Sequence, residues 1–193
     1  MANRFSHAIS EGDGISVVAL VGDAESARAA ESQRAEALLA QSDPAPLRDA
    51  SELPILCGAD VPLELAARAA DAYVLVFEPY EDDDGALESV NERIAELGLD
   101  CVVDVRNEEE LEAALERIDP EIFLLSPREE EEMTPLECVL ALLPDVPAGK
   151  LAIADLATAT RADVVELERA GFDAVIVAAP AIAELVGGPT PDV

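Results

Sequence analysis

The chain has 193 residues, half of them apolar, which is enough for one substantial core and short for two. Forty-two acids face twelve bases, a formal net charge of −30, so no basic patch can be assembled and a nucleic-acid partner is not expected. No apolar stretch reaches the length of about 18 residues that a membrane span needs, and MANRFSHAISEGDG lacks the apolar middle of a secretory signal, so a cytoplasmic protein with no membrane association is expected.

After an N-terminal extension (1–14), ISVVALV (15–21) reads as a strand. AESARAAESQRAEALLAQ (24–41) reads as one helix, and SDPAPLRDASE (42–52) as loop or a short helical turn. From Leu53 onward one pattern repeats. Short apolar runs occur at LPILCG (53–58), AYVLVF (72–77), CVVDV (101–105), EIFLLS (121–126), KLAIAD (150–155) and DAVIVAA (173–179), with helical patterns between them. Strands this apolar, separated by helices, indicate βα units and a parallel sheet buried on both faces.

The helices carry their own start and stop signals. Leu87, Val90, Ile94 and Leu97 share one face ahead of Gly98, a C-terminal cap. Asn107 with Glu110 caps a helix whose apolar face is Leu111, Ala114, Leu115 and Ile118. Thr134-Pro135-Leu136-Glu137 is a capping box with proline in the first helical position. Thr160 opens the last clear helix, which closes before Gly171. The run EEEEM (129–133) reads as a solvated loop, and 183–193 as a C-terminal tail.

Seven strands are recognisable in this reading, all in the βα sense. The expected fold is α/β: a single (β/α)8 TIM-barrel-like domain over 1–193, short of one strand and below the usual size of about 250 residues. A doubly wound open sheet is the alternative, but no GxGxxG or P-loop follows any strand. A missing strand would leave a seam that a homodimer could cover.

Cys57, Cys101 and Cys138 are odd in number, form no CxxC, and lie in or beside apolar runs; His7 is the only histidine. Buried reduced thiols are expected, without zinc. Lys150 is the only lysine, arginine supplies the other eleven cations, and aromatics make up 3%. A charge of −30 repels itself in dilute buffer, whereas at molar salt the Debye length falls to about 3 Å. The composition therefore suits a salt-filled, halophilic cytoplasm.

LDCVVDVRNEEELEAALE, PEIFLLSPRE and KLAIADLATATRADVVELERAGFDAVIVAAPAI, within 99–182, follow in order and spacing the second half of indole-3-glycerol phosphate synthase, and LPILCGADV resembles that family's third strand. The resemblance covers about two thirds of the chain and implies a TIM barrel of tryptophan biosynthesis. It also implies a catalytic lysine at the end of the third strand, where this chain has Gly58. The family's first-strand glutamate and lysine correspond to Leu20 and Gly22 if ISVVALV is the first strand; if it is the second, the first is missing. The fifth-strand glutamate becomes Asp104, the sixth-strand asparagine and arginine become Ser126 and Arg128, and the seventh-strand Glu-Ser-Gly becomes Asp155-Leu156-Ala157. The glycine-rich phosphate turns become DLATAT and AAPAI, which contain no glycine, and Pro180 removes one N–H donor, so a weak phosphate site is expected there.

Three functions are compatible with these residues. The first is a relative without the synthase reaction, non-catalytic or repurposed, either as a subunit of a larger assembly or as a binder of a small phosphorylated or other anionic ligand, with Asp60, Ser126 and Arg128 as binding residues. The second is an active carbon–carbon lyase using Asp104 and Asp155 as acid and base, with Arg128 steering the substrate. The third is a different barrel enzyme with Mg²⁺ held by Glu78, Asp104, Asp155 and Asp60. The first two readings imply no cofactor.

Overall fold

A computed structural model describes residues 4–11, 14–80, 85–127, 133–156 and 158–179, together with Ile182 and Leu185. Eight parallel strands close into a barrel in chain order: β1 (Ser16–Val21), β2 (Ala37–Ala40), β3 (Ile55–Cys57), β4 (Ala72–Val76), β5 (Asp100–Val105), β6 (Ile122–Leu125), β7 (Leu151–Asp155) and β8 (Ala174–Ala178). The helices are α1 (Arg4–Ser10), α2 (Ala24–Ser32), α3 (Ala45–Arg48), α4 (Leu63–Ala66), α5 (Ala86–Glu96), α6 (Glu108–Arg117), α7 (Pro135–Leu142) and α8 (Arg161–Ala170). None of the described helices is long and apolar enough to cross a membrane.

The expectation of a barrel short by one strand is corrected. ISVVALV is the first strand, and the segment read as one helix over 24–41 divides into α2 and β2. Asp23 caps α2, accepting from the N–H groups of Glu25 and Ser26. The helix then stops on Arg34, whose φ of 69° is left-handed, and the Ala35 N–H returns to the Ala30 carbonyl. Such a stop ordinarily carries glycine. β1 pairs with both β2 and β8, so the sheet has no open seam for a second copy to cover. Among the described residues, Met133 is the one large apolar side chain left exposed.

Eight strands with seven helices between them fit this short chain because two of those helices, α3 and α4, are single turns of four residues. Other helix ends follow the sequence signals. Gly98 and Gly171 take left-handed φ values of 77° and 106° after α5 and α8. Thr134 with Glu137 and Thr160 with Asp163 form reciprocal capping boxes.

Two apolar shells follow from the strand alternation. Outward-facing Val17, Ala19, Val103, Phe123 and Val175 pack against helix residues including Leu87, Ile94, Leu111, Val139 and Leu167. Each Leu, Ile or Val buried in this way contributes about 1.5–3 kcal/mol. The inward shell fills the barrel with Val18, Leu39, Leu56, Val74, Val102, Leu124, Ile153 and Ile176 above the smaller Ala37, Ala72 and Ala174.

Those alanines leave room that α1 occupies. Phe5 and Ile9, 0% and 2% exposed, belong to the inward shell. Within the stretch expected to be an extension, α1 therefore forms the barrel's floor. It is tied there by the Ser6 N–H to Asp100 Oδ2 at 3.0 Å and by Arg4, which joins Arg48 on the carboxylate of Asp71.

Candidate functional site

The functional end of such a barrel is the C-terminal end of its strands. Alternation along β5 turns Val102 into the barrel and brings Asp104 to its rim. Along β7, Ile153 is inside and Asp155 follows it. Asp104 pairs with Leu124 and Leu124 with Ile153. Strands in an eight-stranded barrel are staggered by about one residue each, so the residue level with Asp104 on β7 is Asp155. The same stepping around the sheet brings Leu20 of β1 and Gly58, just beyond β3, into that layer. The layer thus consists of two carboxyls, one apolar side chain and one bare backbone position.

Asp104 and Asp155 line one cavity of about 630 Å³, with Ser126 and Arg106 beside them. Thr134 at the start of α7 and Asp163 in the first turn of α8 complete its polar wall, and Pro127, Pro135, Leu136 and Leu156 form apolar rims. Asp104 is 8% exposed, and its Oδ1 has no hydrogen-bond partner among the described residues. Burial pushes its proton affinity up, Ser126 and Arg106 pull it back, and Glu110 adds to the rise. Asp155 is raised by burial and then by the charge of Asp104.

Arg106 is the cation on the described wall. Its guanidinium lies 3.1 Å from Glu78 Oε2, and its backbone N–H donates to Glu110 Oε2 at 2.8 Å. Glu110, 3% exposed, also receives Asn107 Nδ2 at 3.0 Å. The N-terminus of α6 therefore holds the position from which Arg106 reaches the cavity.

The two helix starts at the cavity already have internal acceptors. Thr134 N–H donates to Glu137 Oε2 at 2.8 Å, and Thr160 N–H to Asp163 Oδ2 at 2.7 Å. The hydrogen bonds from Thr134 hold the Glu137 carboxyl below its ordinary range. An arriving anion would meet these carboxylates at the ends that otherwise attract it.

Of the residues singled out in the sequence, the structure brings Asp104, Ser126 and Asp155 together. Asp60 lies on the loop after the short β3, exposed, and lines a different hollow with Tyr73 and Leu63. Glu78 is likewise exposed and turned to Arg106. Among the described residues no group of three or more His, Cys, Asp or Glu could hold a metal ion, so the four-acid Mg²⁺ site is not assembled. Arg128, most of the acidic run 129–133, Ala157 and Pro180 lie outside the described residues.

The remaining candidates behave as small structural groups. Cys57 is fully buried with its thiol pushed up to about 11, and burial raises Cys101 to about 12, so neither supplies a thiolate nucleophile. His7 is exposed on the floor helix beside Glu11. Lys150 precedes β7 and is held by Asp119 at 2.9 Å and Glu121 at 3.3 Å, at the opposite end from the cavity. Arg106 was overlooked in the sequence; its signal was the alternation in VVDVR, which sets it two residues beyond Asp104.

A closed (β/α)8 barrel with an acid pair in a cavity at its C-terminal mouth belongs to the class of barrels that carry their sites there. No protein-family model matches the chain. It is similar to indole-3-glycerol phosphate synthase of Pelodictyon phaeoclathratiforme, 32% identical over 83 residues, covering 43% of this chain and 32% of the relative. The same enzyme of Variovorax paradoxus is 32% identical over 114 residues, covering 59% and 42% respectively. The matches thus span less than half the length of these curated relatives and support a distant relation to that barrel family. Among solved structures, an aldolase designated QR15 superposes with a TM-score of 0.69 at 16% identity, covering 89% of this chain and 92% of that one. Thiamine phosphate pyrophosphorylase from Pyrococcus furiosus gives 0.66 at 15% identity, covering 89% and 90%. These two likenesses concern the fold.

Proposed function

We propose that this chain is a barrel of indole-3-glycerol phosphate synthase ancestry that no longer performs the ring-closing reaction and retains its mouth as a small-molecule binding site. The observation that carries this reading is the layer Leu20, Gly58, Asp104 and Asp155. Where the resemblance places the family's lysine stands a glycine. Ring closure with dehydration needs a proton donor suited to neutral pH. Lys150 is at the other end of the barrel, and the thiols of Cys57 and Cys101 are held protonated by burial. The charge of −30 supports a setting in a salt-rich cytoplasm.

One observation favours a second reading. Two carboxyls of raised proton affinity share a cavity, as in sites where one acid donates and another accepts. A lyase of tryptophan biosynthesis working through Asp104 and Asp155 would use that arrangement.

Indole formation from the carboxyphenylamino-deoxyribulose phosphate that the family cyclises separates the two. It is followed by fluorescence in about 3 M KCl, where surface repulsion is screened. Folded protein that forms no indole is the expected result. Indole fluorescence lost in Asp104→Asn and Asp155→Asn would overturn it in favour of the lyase.

A further inference from the structure

Among the described residues two buried side-chain oxygens meet no donor, Gln33 Oε1 after α2 and Asp104 Oδ1, and of the two only Asp104 lines the barrel mouth. Asp104 Oδ1 is buried, on a residue 8% exposed, and meets no donor among the described residues. A buried acceptor left open costs stability unless something fills it. Asp155 stands level with it across β6, and Asp163 adds a third acid to the same wall.

The surroundings distinguish among ligands. Arg106, the cation of the described wall, is already paired with Glu78 at 3.1 Å. The starts of α7 and α8 are turned toward their own carboxylates, Glu137 and Asp163. An anion therefore meets acids on several sides. A divalent metal lacks its ligand set among the described residues. An ammonium needs less: three donors and one or two carboxylates to receive them. The apolar rims formed by Pro135, Leu136 and Leu156 suit a small hydrocarbon body attached to it.

We infer that the barrel mouth binds a small organic amine, with its protonated ammonium seated between Asp104 and Asp155 and its carbon body against Leu136 and Leu156. This rests on the reading of the mouth as a ligand site and names the class of ligand. Asp104 Oδ1 is enclosed, so seating the ammonium turns the Asp104 carboxyl to present that oxygen to one N–H, while a second goes to the carboxylate of Asp155 and a third to Ser126 or solvent. The amine supplies the positive charge that the layer lacks at Gly58.

The test compares benzylamine with benzyl alcohol and with inorganic phosphate, each added to the full chain in about 1 M KCl. Amide nitrogen–proton correlation spectra report both folding and the place of binding. Saturable shifts around Asp104, Ser126 and Asp155 with benzylamine alone are expected. Charge-assisted hydrogen bonds set the expected loss at about tenfold or more in Asp155→Asn. Asp163→Asn provides a second, more peripheral variant, and Glu121→Gln, at the far end of the barrel, is expected to leave the affinity unchanged.

Benzylamine without saturable shifts at these amides overturns the inference. So does equal binding of benzyl alcohol, which would remove any role for charge, or phosphate binding abolished by Arg106→Gln, which would make the site anionic in preference. The indole assay on the same preparation reads the other claim separately. Indole formation overturns the loss of the synthase reaction, whereas absent benzylamine binding overturns the amine.

Discussion

Asp104 on β5 and Asp155 on β7 are level in the barrel with one strand between them, and the charge of the first raises the proton affinity of the second. Burial raises both. The folded chain therefore holds these protons more tightly than the unfolded chain, where an aspartate titrates near 3.9. Their favourable contribution is complete below about pH 3.9 and is lost as pH rises through the raised folded values. Arg106 and Ser126 moderate the rise at Asp104, while Glu110 adds to it. Asp173 is raised as well, and Glu88 is held down to about 2 by Arg117, so whole-protein melting curves mix opposite slopes. The difference between wild type and Asp155→Asn isolates the pair. Thermal melts from pH 4 upward at constant KCl are expected to show the variant gaining stability over wild type as pH rises. A difference independent of pH would mean that the pair titrates normally.

Gly58→Lys would place a cation in the layer of the pair. The atoms nearest a Cβ at Gly58 are the Ala40 carbonyl oxygen at 3.5 Å and Gln41 at 3.9 and 4.0 Å, ordinary contacts, so the variant is expected to fold. The introduced ammonium favours the ionised carboxyls and lowers their proton affinity. Carbon-detected titration of the Asp104 and Asp155 carboxyls measures this. Benzylamine affinity is expected to fall about tenfold or more, in line with the strength of a charged hydrogen bond. Unchanged affinity would locate the amine elsewhere.

Phe5→Ala tests whether α1 is structural. Phe5 is fully buried against the barrel's alanine layer, and a Phe→Ala change in such a place costs about 3–5 kcal/mol. Denaturant unfolding in high KCl gives the number. A loss below about 1 kcal/mol would show that the barrel closes its floor without α1.

Stability is expected to rise with KCl, because the formal charge of −30 repels itself over about 10 Å at 0.1 M salt and about 3 Å at 1 M. Melting temperatures in 0.1 and 1 M KCl measure the effect. Sucrose, which strengthens burial without screening charge, separates electrostatics from general exclusion. Equal gains in the two solutes would remove the charge argument.

The barrel class was legible because parallel strands covered on both faces must be apolar throughout, as at 72–77 and 173–179. Helix starts at Thr134 and Thr160 were equally plain, since a capping box is local chemistry. β2 was hidden for a local reason too. Arg34 takes the left-handed turn that glycine usually marks, and the ALLA that follows continues an alanine-rich helical pattern. Phe5 and Ile9, four residues apart in a seven-residue helix, carried no sign that they would fill a barrel floor.

The site divides along the same line. Sequence by itself determined that Asp104 and Asp155 would end inward-facing strand runs, that Gly58 would offer no side chain, and that acids would outnumber cations throughout. Tertiary structure alone decided that the two aspartates would meet in one cavity and that Asp60 and Glu78 would not join them. Alternation along a strand is set residue by residue, whereas height around a closed barrel is set by the stagger of all eight strands at once.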